Sequence, residues 1–493
     1  MRNKPVEVLI IILISEVLLV GYSFYYNSTA SLFIKEHIKF LSPSSLVDFS
    51  MKDANIKADS LLQNYLSNTL SDDLILNRTN LSKIGPKKQN IYLVNPVSDT
   101  GSALDGFFKA LLHEKDSTTV RIAHYGDSQL EGDRMSYIVR EKFHEHFGGS
   151  GIGYVPLKDL TPVSYFRNSS GNWAKYTVFH DRFENNDYGL SGAVFRFSKY
   201  TVRQNDDEGG SDSTETKKDT HQGSTGKAYY NASVSMKMGG KYAYNSVSFL
   251  YGHATDECVV NFIDTKSNDL VKSDTLTRCK NVCLHKTKIS NVMNVKVEFA
   301  ADNSPNFYGM YFDSGTGIQV DNYAIRGHSG DGLMLINDNQ LSQMLNLTNT
   351  KLIIFQYGAN VVPYIHSDKA CEWIGGIYYN LFMKFKKAKP DISILVIGAG
   401  DMAKGGEGGY ASYPWLPKIS EAQKNAALKA GCAYWDLFNM MGGLNSILAW
   451  TDKKLAVTNG HFSEKGQKII ANELVDALLV EYNLYLHKQR IKK

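Results

Sequence analysis

The strongest constraint on the fold is a pattern that starts, stops and starts again. Three strand-like runs, TVRIAHY (119–125) and the more continuously apolar KLIIFQY (351–357) and ISILVIG (392–398), each break into glycine and polar residues. Continuous apolar runs of this length are how strands read when both faces of a parallel sheet are covered. Helical patterns lie between them: ALDGFFKALLHEK before the first and GGIYYNLFMKFKKAKP between the other two. Strands alternating with helices specify a parallel α/β layer architecture. From about 151 to 315 the texture changes. VKVEF places Val295, Val297 and Phe299 on one face and Lys296 and Glu298 on the other, and SVSFLY, CVVNFI and AVFRF read alike. Period-2 alternation with little helical periodicity predicts an all-β module, a sandwich or jelly roll, set into the α/β domain. The polar tract 205–227 reads as a solvated loop inside it.

The chain has 493 residues, room for more than one domain, and its 43% hydrophobic content can fill real cores. With 54 basic and 50 acidic residues the net charge is +4, too balanced to point to a nucleic-acid partner. Arg2 and Lys4 precede an apolar run from Val6 to Phe24, long enough to cross a bilayer. Residues 1–30 are therefore expected to be a signal anchor or signal peptide, with the rest outside the cytoplasm in the periplasm or cell envelope. Residues 31–100 read as a stalk or leader, 101–150 and 316–493 as the two parts of the α/β domain, and 151–315 as the insertion. Among the five cysteines, Cys258, Cys279 and Cys283 lie near one another; one disulfide and free buried thiols are both open. No second ligand pair accompanies the C-x3-C spacing, so no metal is expected, and nothing calls for a cofactor.

Four segments fall at the carboxyl ends of expected strands, where open α/β folds place ligands. They are Gly126-Asp127-Ser128, the break at Gly327 in NYAIRGHSGDG, QYGAN with Asn360, and NGHFSEKG with His461 before a helix capped by Ser463. A serine hydroxyl needs a base, which a neutral histidine supplies, and its tetrahedral oxyanion needs fixed donors. The N–H groups of Ser128 and Gly327 and the Asn360 amide can provide them. A helix is expected to begin directly after Ser128, its first N–H groups adding to the same site. His124, His328 and Asp401 read as lining residues at most.

GDS, RGHSG, GAN and GHFSEKG resemble blocks I, II, III and V of the SGNH (GDSL-like) hydrolase superfamily over roughly 101–150 and 316–490. The resemblance implies a flavodoxin-like three-layer α/β/α domain. It also implies a catalytic Ser128 and His461, and an oxyanion hole from Ser128, Gly327 and Asn360. A β-module between blocks I and II is similar to the arrangement of peptidoglycan O-acetylesterases, whose insertion resembles carbohydrate-binding modules. YWDLFNMMGG (434–443) is also similar to a segment of that branch. The implied function is an exported serine esterase removing O-acyl groups, O-acetyl foremost, from an acylated polysaccharide or peptidoglycan. A glycan O-acetyltransferase and a weakly active glycan-binding envelope protein are the alternatives. Gln129 stands where many members have Leu. Block V departs further: three residues before His461, where the family has the orienting Asp, stands Thr458. The supporting candidates are thus Asp127, Thr458 and Asp452, with a Ser–His dyad leaning on a backbone carbonyl as a further possibility.

Overall fold

The computed structural model describes residues 92–96, 101–199, 230–289, 292–406 and 408–491. The apolar run 6–24, nearly all of the 31–100 leader and the polar tract 205–227 lie outside the described residues. Among the described residues no helix is long and apolar enough to cross a membrane.

Five parallel strands form the central sheet: β1 (Thr119–Gly126), β2 (Gly317–Ala324), β3 (Thr350–Gln356), β4 (Ser393–Ile397) and β5 (Ala433–Trp435), in the order β2-β1-β3-β4-β5. Every residue of β1 is buried, the charged Arg121 and the polar His124 included, as expected of a strand covered on both faces. Its alternate side chains feed two layers. Val120 and Ile122 join the core under α1 (Asp105–His113), α2 (Ser136–Phe147) and the terminal helix, through Phe107, Phe108, Val139, Phe143, Ile470 and Leu474. Ala123 and Tyr125 join the opposite core, with Leu341 of α3 (Asp338–Leu347), Leu381 and Phe385 of α4 (Asp368–Ala388) and Ile419 of α5 (Leu416–Lys429). The result is an α/β/α sandwich. Two short helices, α6 (Leu437–Met441) and α7 (Ser446–Asp452), precede the long α8 (Glu464–Ile491). Part of the expected leader belongs to this domain: Val94 exchanges backbone hydrogen bonds with Tyr434 of β5 at 2.8 and 2.9 Å.

Between β1 and β2 the chain builds two antiparallel sheets. One has the order 279–288, 246–254, 306–313, 193–197, 173–177, with 153–155 also pairing 306–313. The other has the order 166–169, 230–237, 294–301, 258–264, 269–276. Trp173 fills the space between them, meeting Phe197, Phe299 and Phe307 edge-on with ring centroids 5.2, 5.3 and 5.7 Å away. Cys279 and Cys283 form a disulfide. Four residues of regular strand would span roughly 13 Å. The register shift between Cys279 and Val282 brings the two Cα atoms to 6.2 Å. Cys258 is a buried free thiol.

Two features bolt the module to the domain. The Arg121 guanidinium of β1 donates to both oxygens of Asp321 at 3.0 and 3.1 Å, pairs with Asp313 at the end of the module's last strand, and stacks on Tyr311 at 4.5 Å. Entry and exit chains also cross at Gly149 (φ +104°) and Gly317 (φ +82°). A Cβ on Gly317 would stand 2.3 Å from the Gly149 nitrogen, so neither position admits a side chain.

Candidate active site

Strand order reverses between β1 and β3, and the loops leaving their carboxyl ends part there to form a crevice. Ser128 follows β1 and Asn360 follows β3 across that gap. The Ser128 corner is a tight turn rather than the start of a helix. Asp127 Oδ1 accepts from the Gln129 N–H at 2.9 Å, and the Leu130 N–H donates to the Asp127 carbonyl at 3.1 Å. The expected helix begins only at Ser136, because Gly132 (φ +68°) and Asp133 (φ +63°) are both left-handed and break it. Asp133 is held there by Arg140 at 2.8 and 2.9 Å. The corner therefore offers turn N–H groups, not those of a helix terminus.

Ser128 Oγ lies 2.8 Å from His461 Nε2. On the far side of the ring, Nδ1 is 2.9 Å from Asn459 Oδ1. An amide oxygen accepts and cannot donate, so Nδ1 carries the proton and Nε2 is left to take the serine's. This corrects the expectation for block V. Thr458 does not occupy the orienting position; its carbonyl accepts from Ala403 N–H at 2.7 Å. Asp452, exposed at the end of α7, does not hold the imidazole either. The residue at minus two, Asn459, is the one that faces Nδ1, with a neutral group. The left-handed Gly460 (φ +91°) turns the chain so that Asn459 also caps the His461 N–H at 3.2 Å.

Gln129, which stands where many family members have Leu, clamps both sides of the histidine. Its Nε2 donates to the Gly460 carbonyl at 2.6 Å and its Oε1 accepts from Phe462 N–H at 3.3 Å. Ser463 caps α8 through the Gly466 N–H at 3.2 Å. The neighbours of Ser128 and of His461 thus fix one another.

Asn360 Nδ2 donates to Asp127 Oδ2 at 2.9 Å and to the His328 carbonyl at 3.1 Å. Asp127 so fixes the amide plane, and the longer bond is the one an oxyanion would compete for. Burial pushes the Asp127 carboxyl up to about 6, against the backbone hydrogen bonds that favour its charge. Gly327 follows β2 with φ +70°, a conformation glycine takes without strain. The three histidine and aspartate lining candidates turn out to be buried structural groups. His124 bonds Gln356 at 3.2 Å and Ser136 at 3.0 Å, His328 Nε2 accepts from Gly332 N–H at 3.0 Å, and Asp401 takes Ser412 at 2.8 Å and Ile447 N–H at 2.9 Å. Among the described residues no group of three or more His, Cys, Asp or Glu could hold a metal ion.

His461 titrates below the ordinary histidine range. Burial is the main cause, followed by the charges of Arg134 and Arg326, with Glu131 opposing. The acid limb of a kcat/KM profile should therefore have its midpoint below ~6.5. Asn459→Asp would put a carboxylate on Nδ1 and move that midpoint up, whereas Asn459→Ala should lower kcat by roughly ten- to a hundredfold through loss of ring orientation. A midpoint unmoved by Asn459→Asp would show that Asn459 does not carry the imidazole.

A parallel-sheet domain with a serine–histidine couple at its carboxyl edge, and Gly and Asn on neighbouring loops, is the arrangement that the resemblance to SGNH/GDSL-like hydrolases implies. One solved structure shares the fold over most of the chain. A peptidoglycan O-acetylesterase superposes with a TM-score of 0.59 at 19% identity, over 78% of this chain and 97% of that one. Family two carbohydrate esterases from Clostridium thermocellum and Cellvibrio japonicus align at TM-scores of 0.23 and 0.24. Their identities are 10% and 9%, over 50% and 64% of this chain and 91% and 99% of theirs. At these identities the likeness to the O-acetylesterase is one of fold. No family model matches the sequence, and no curated protein matches it.

Proposed function

We propose that the protein is a serine esterase that removes O-acyl groups, O-acetyl foremost, from a glycan of the cell envelope or extracellular space. The observation that carries this reading is the bond of Ser128 Oγ to His461 Nε2 at 2.8 Å, beside an Asn360 amide fixed by Asp127. His461 takes the Ser128 proton as Oγ attacks the ester carbonyl, and returns it to the departing sugar hydroxyl. Water then repeats the sequence on the acyl-enzyme. The fold shared with a peptidoglycan O-acetylesterase supports the substrate class, and the basic-flanked apolar run 6–24 supports export with that run as leader or anchor.

The test is acetate release from O-acetylated peptidoglycan and O-acetylated xylan by the wild type and Ser128→Ala. Release from either polymer by the wild type alone supports the reading. No release from either, together with no hydrolysis of p-nitrophenyl acetate, would overturn it and favour a glycan-binding role. Appearance of the acetyl group on an added oligosaccharide instead of water would identify a transferase.

A further inference from the structure

Two arginines flank the reaction centre, and hydrolysis of a neutral ester calls for neither. Arg134 donates through Nη1 to the Ser128 carbonyl at 3.2 Å. Arg326, the residue before Gly327, is oriented by Glu131, which accepts from Nε at 2.9 Å and pairs with Nη2 at 2.9 Å. Half of the Arg326 side chain (50%) nevertheless faces solvent. Both cations act on His461 in the sense that opposes its protonation, and Glu131 acts in the other. A base that must become an imidazolium in the transition state is hindered by such neighbours. That arrangement makes chemical sense if the substrate brings a negative charge of its own.

Gly327 also has an aromatic neighbour, supplied by the inserted module. A Cβ on Gly327 would lie 3.4 Å from Phe179 Cε1. The Phe179 ring lies 5.5 Å from His328 and 4.2 Å from His180, and the residue is 41% exposed. An open apolar ring at the edge of a polar site suits the C–H face of a pyranose. A planar guanidinium suits a carboxylate.

We propose that Arg134, Arg326 and Phe179 form a subsite for a carboxylate-bearing acylated sugar, the ring receiving the sugar's apolar face and the arginines its carboxylate. The proposal rests on the esterase reading and narrows it from acylated glycans in general to anionic ones. It also assigns the module a direct part in the site through one side chain.

Three substrates test it: p-nitrophenyl acetate, neutral O-acetylated xylo-oligosaccharides and O-acetylated oligogalacturonates. The wild type should favour the oligogalacturonates over the xylo-oligosaccharides by about tenfold or more in kcat/KM at low salt, the preference shrinking toward 1 M NaCl. Arg326→Gln should cost about tenfold more on the oligogalacturonates than on the other two, mainly in KM, with partial recovery in Arg326→Lys. Phe179→Ala should raise KM for both glycans more than for p-nitrophenyl acetate. A bound carboxylate would also raise the His461 pKa in the complex, so on the oligogalacturonates the kcat profile should have a higher midpoint than kcat/KM. On the neutral ester the two should coincide. Equal kcat/KM on the two glycans, or an Arg326→Gln loss equal on all three substrates, would overturn the proposal. If the wild type hydrolyses nothing, the esterase reading fails while the subsite is still decided by calorimetry of unacetylated oligogalacturonate on the intact protein. Salt-sensitive binding that Arg326→Gln weakens supports the subsite, and absence of binding overturns it.

Discussion

Ser128→Ala should lower turnover of p-nitrophenyl acetate by about 10^4-fold or more while changing stability by less than about 0.5 kcal/mol. The size of the first effect follows from the chemistry: without Oγ, His461 has no proton to take and the acyl-enzyme cannot form. The smallness of the second follows from what holds the corner. The turn is closed by the Asp127 side chain and carbonyl, and α2 starts later, with Met135 at its N-cap and no side-chain cap. Ser128 Oγ bonds to the part-buried His461 ring and holds no backbone group among the described residues. Circular dichroism melts beside rate measurements decide the matter. Turnover above a few per cent of wild type would remove Ser128 as nucleophile, and a melting temperature depressed by several degrees would give it a structural role.

The second large effect lies at the junction. Arg121→Leu should destabilise the protein by about 3–5 kcal/mol, because it leaves Asp313 and Asp321 buried without their cation. Tyr154 N–H at 2.9 Å would still satisfy one Asp321 oxygen, but a single neutral donor does not replace a guanidinium. The deficit should depend on pH. Burial already raises Asp321, with Arg121 opposing; without Arg121 the folded-state pKa would rise further above the unfolded one. A carboxyl raised in this way destabilises the fold above its unfolded pKa and stops doing so once protonated. Urea unfolding should therefore show a larger deficit at pH 8 than at pH 5. Equal deficits at both values would count against a charge mechanism.

Much of this was legible in the sequence because burial leaves a strong mark. TVRIAHY, KLIIFQY and ISILVIG are mostly apolar since both sheet faces are covered, and VKVEF alternates since one face of its strand meets the Trp173 core. β2 was harder to see: GIQVDNYA carries Gln319 and Asp321, buried polar groups whose partners Ser150 and Arg121 lie far along the chain. The same holds at the site. Ser128, Gly327, Asn360 and His461 stand out because each punctuates a strand end or a helix start. Asn459 did not, because its role depends on the left-handed turn at Gly460, and a short polar residue before glycine reads first as a turn. Gln129 was hidden for a related reason. Its two contacts reach residues more than 300 positions away, a pairing that local spacing does not encode.

The crossing at Gly149 and Gly317 has a consequence for how such a chain could have been assembled. Because the module leaves and rejoins the sheet at one spot, joining the chain directly there would sever no strand of the α/β domain. The insertion is in that sense a cassette with a single port. It is not an inert one. Excision would take Asp313 from the Arg121 cluster, which keeps Asp321, and would take Phe179 from beside Gly327. Any trimmed descendant should keep Arg121 and Asp321 as a one-to-one pair and carry a new residue covering Gly327. Domain loss in this lineage would then be recorded in the catalytic half, as a repaired scar at the port.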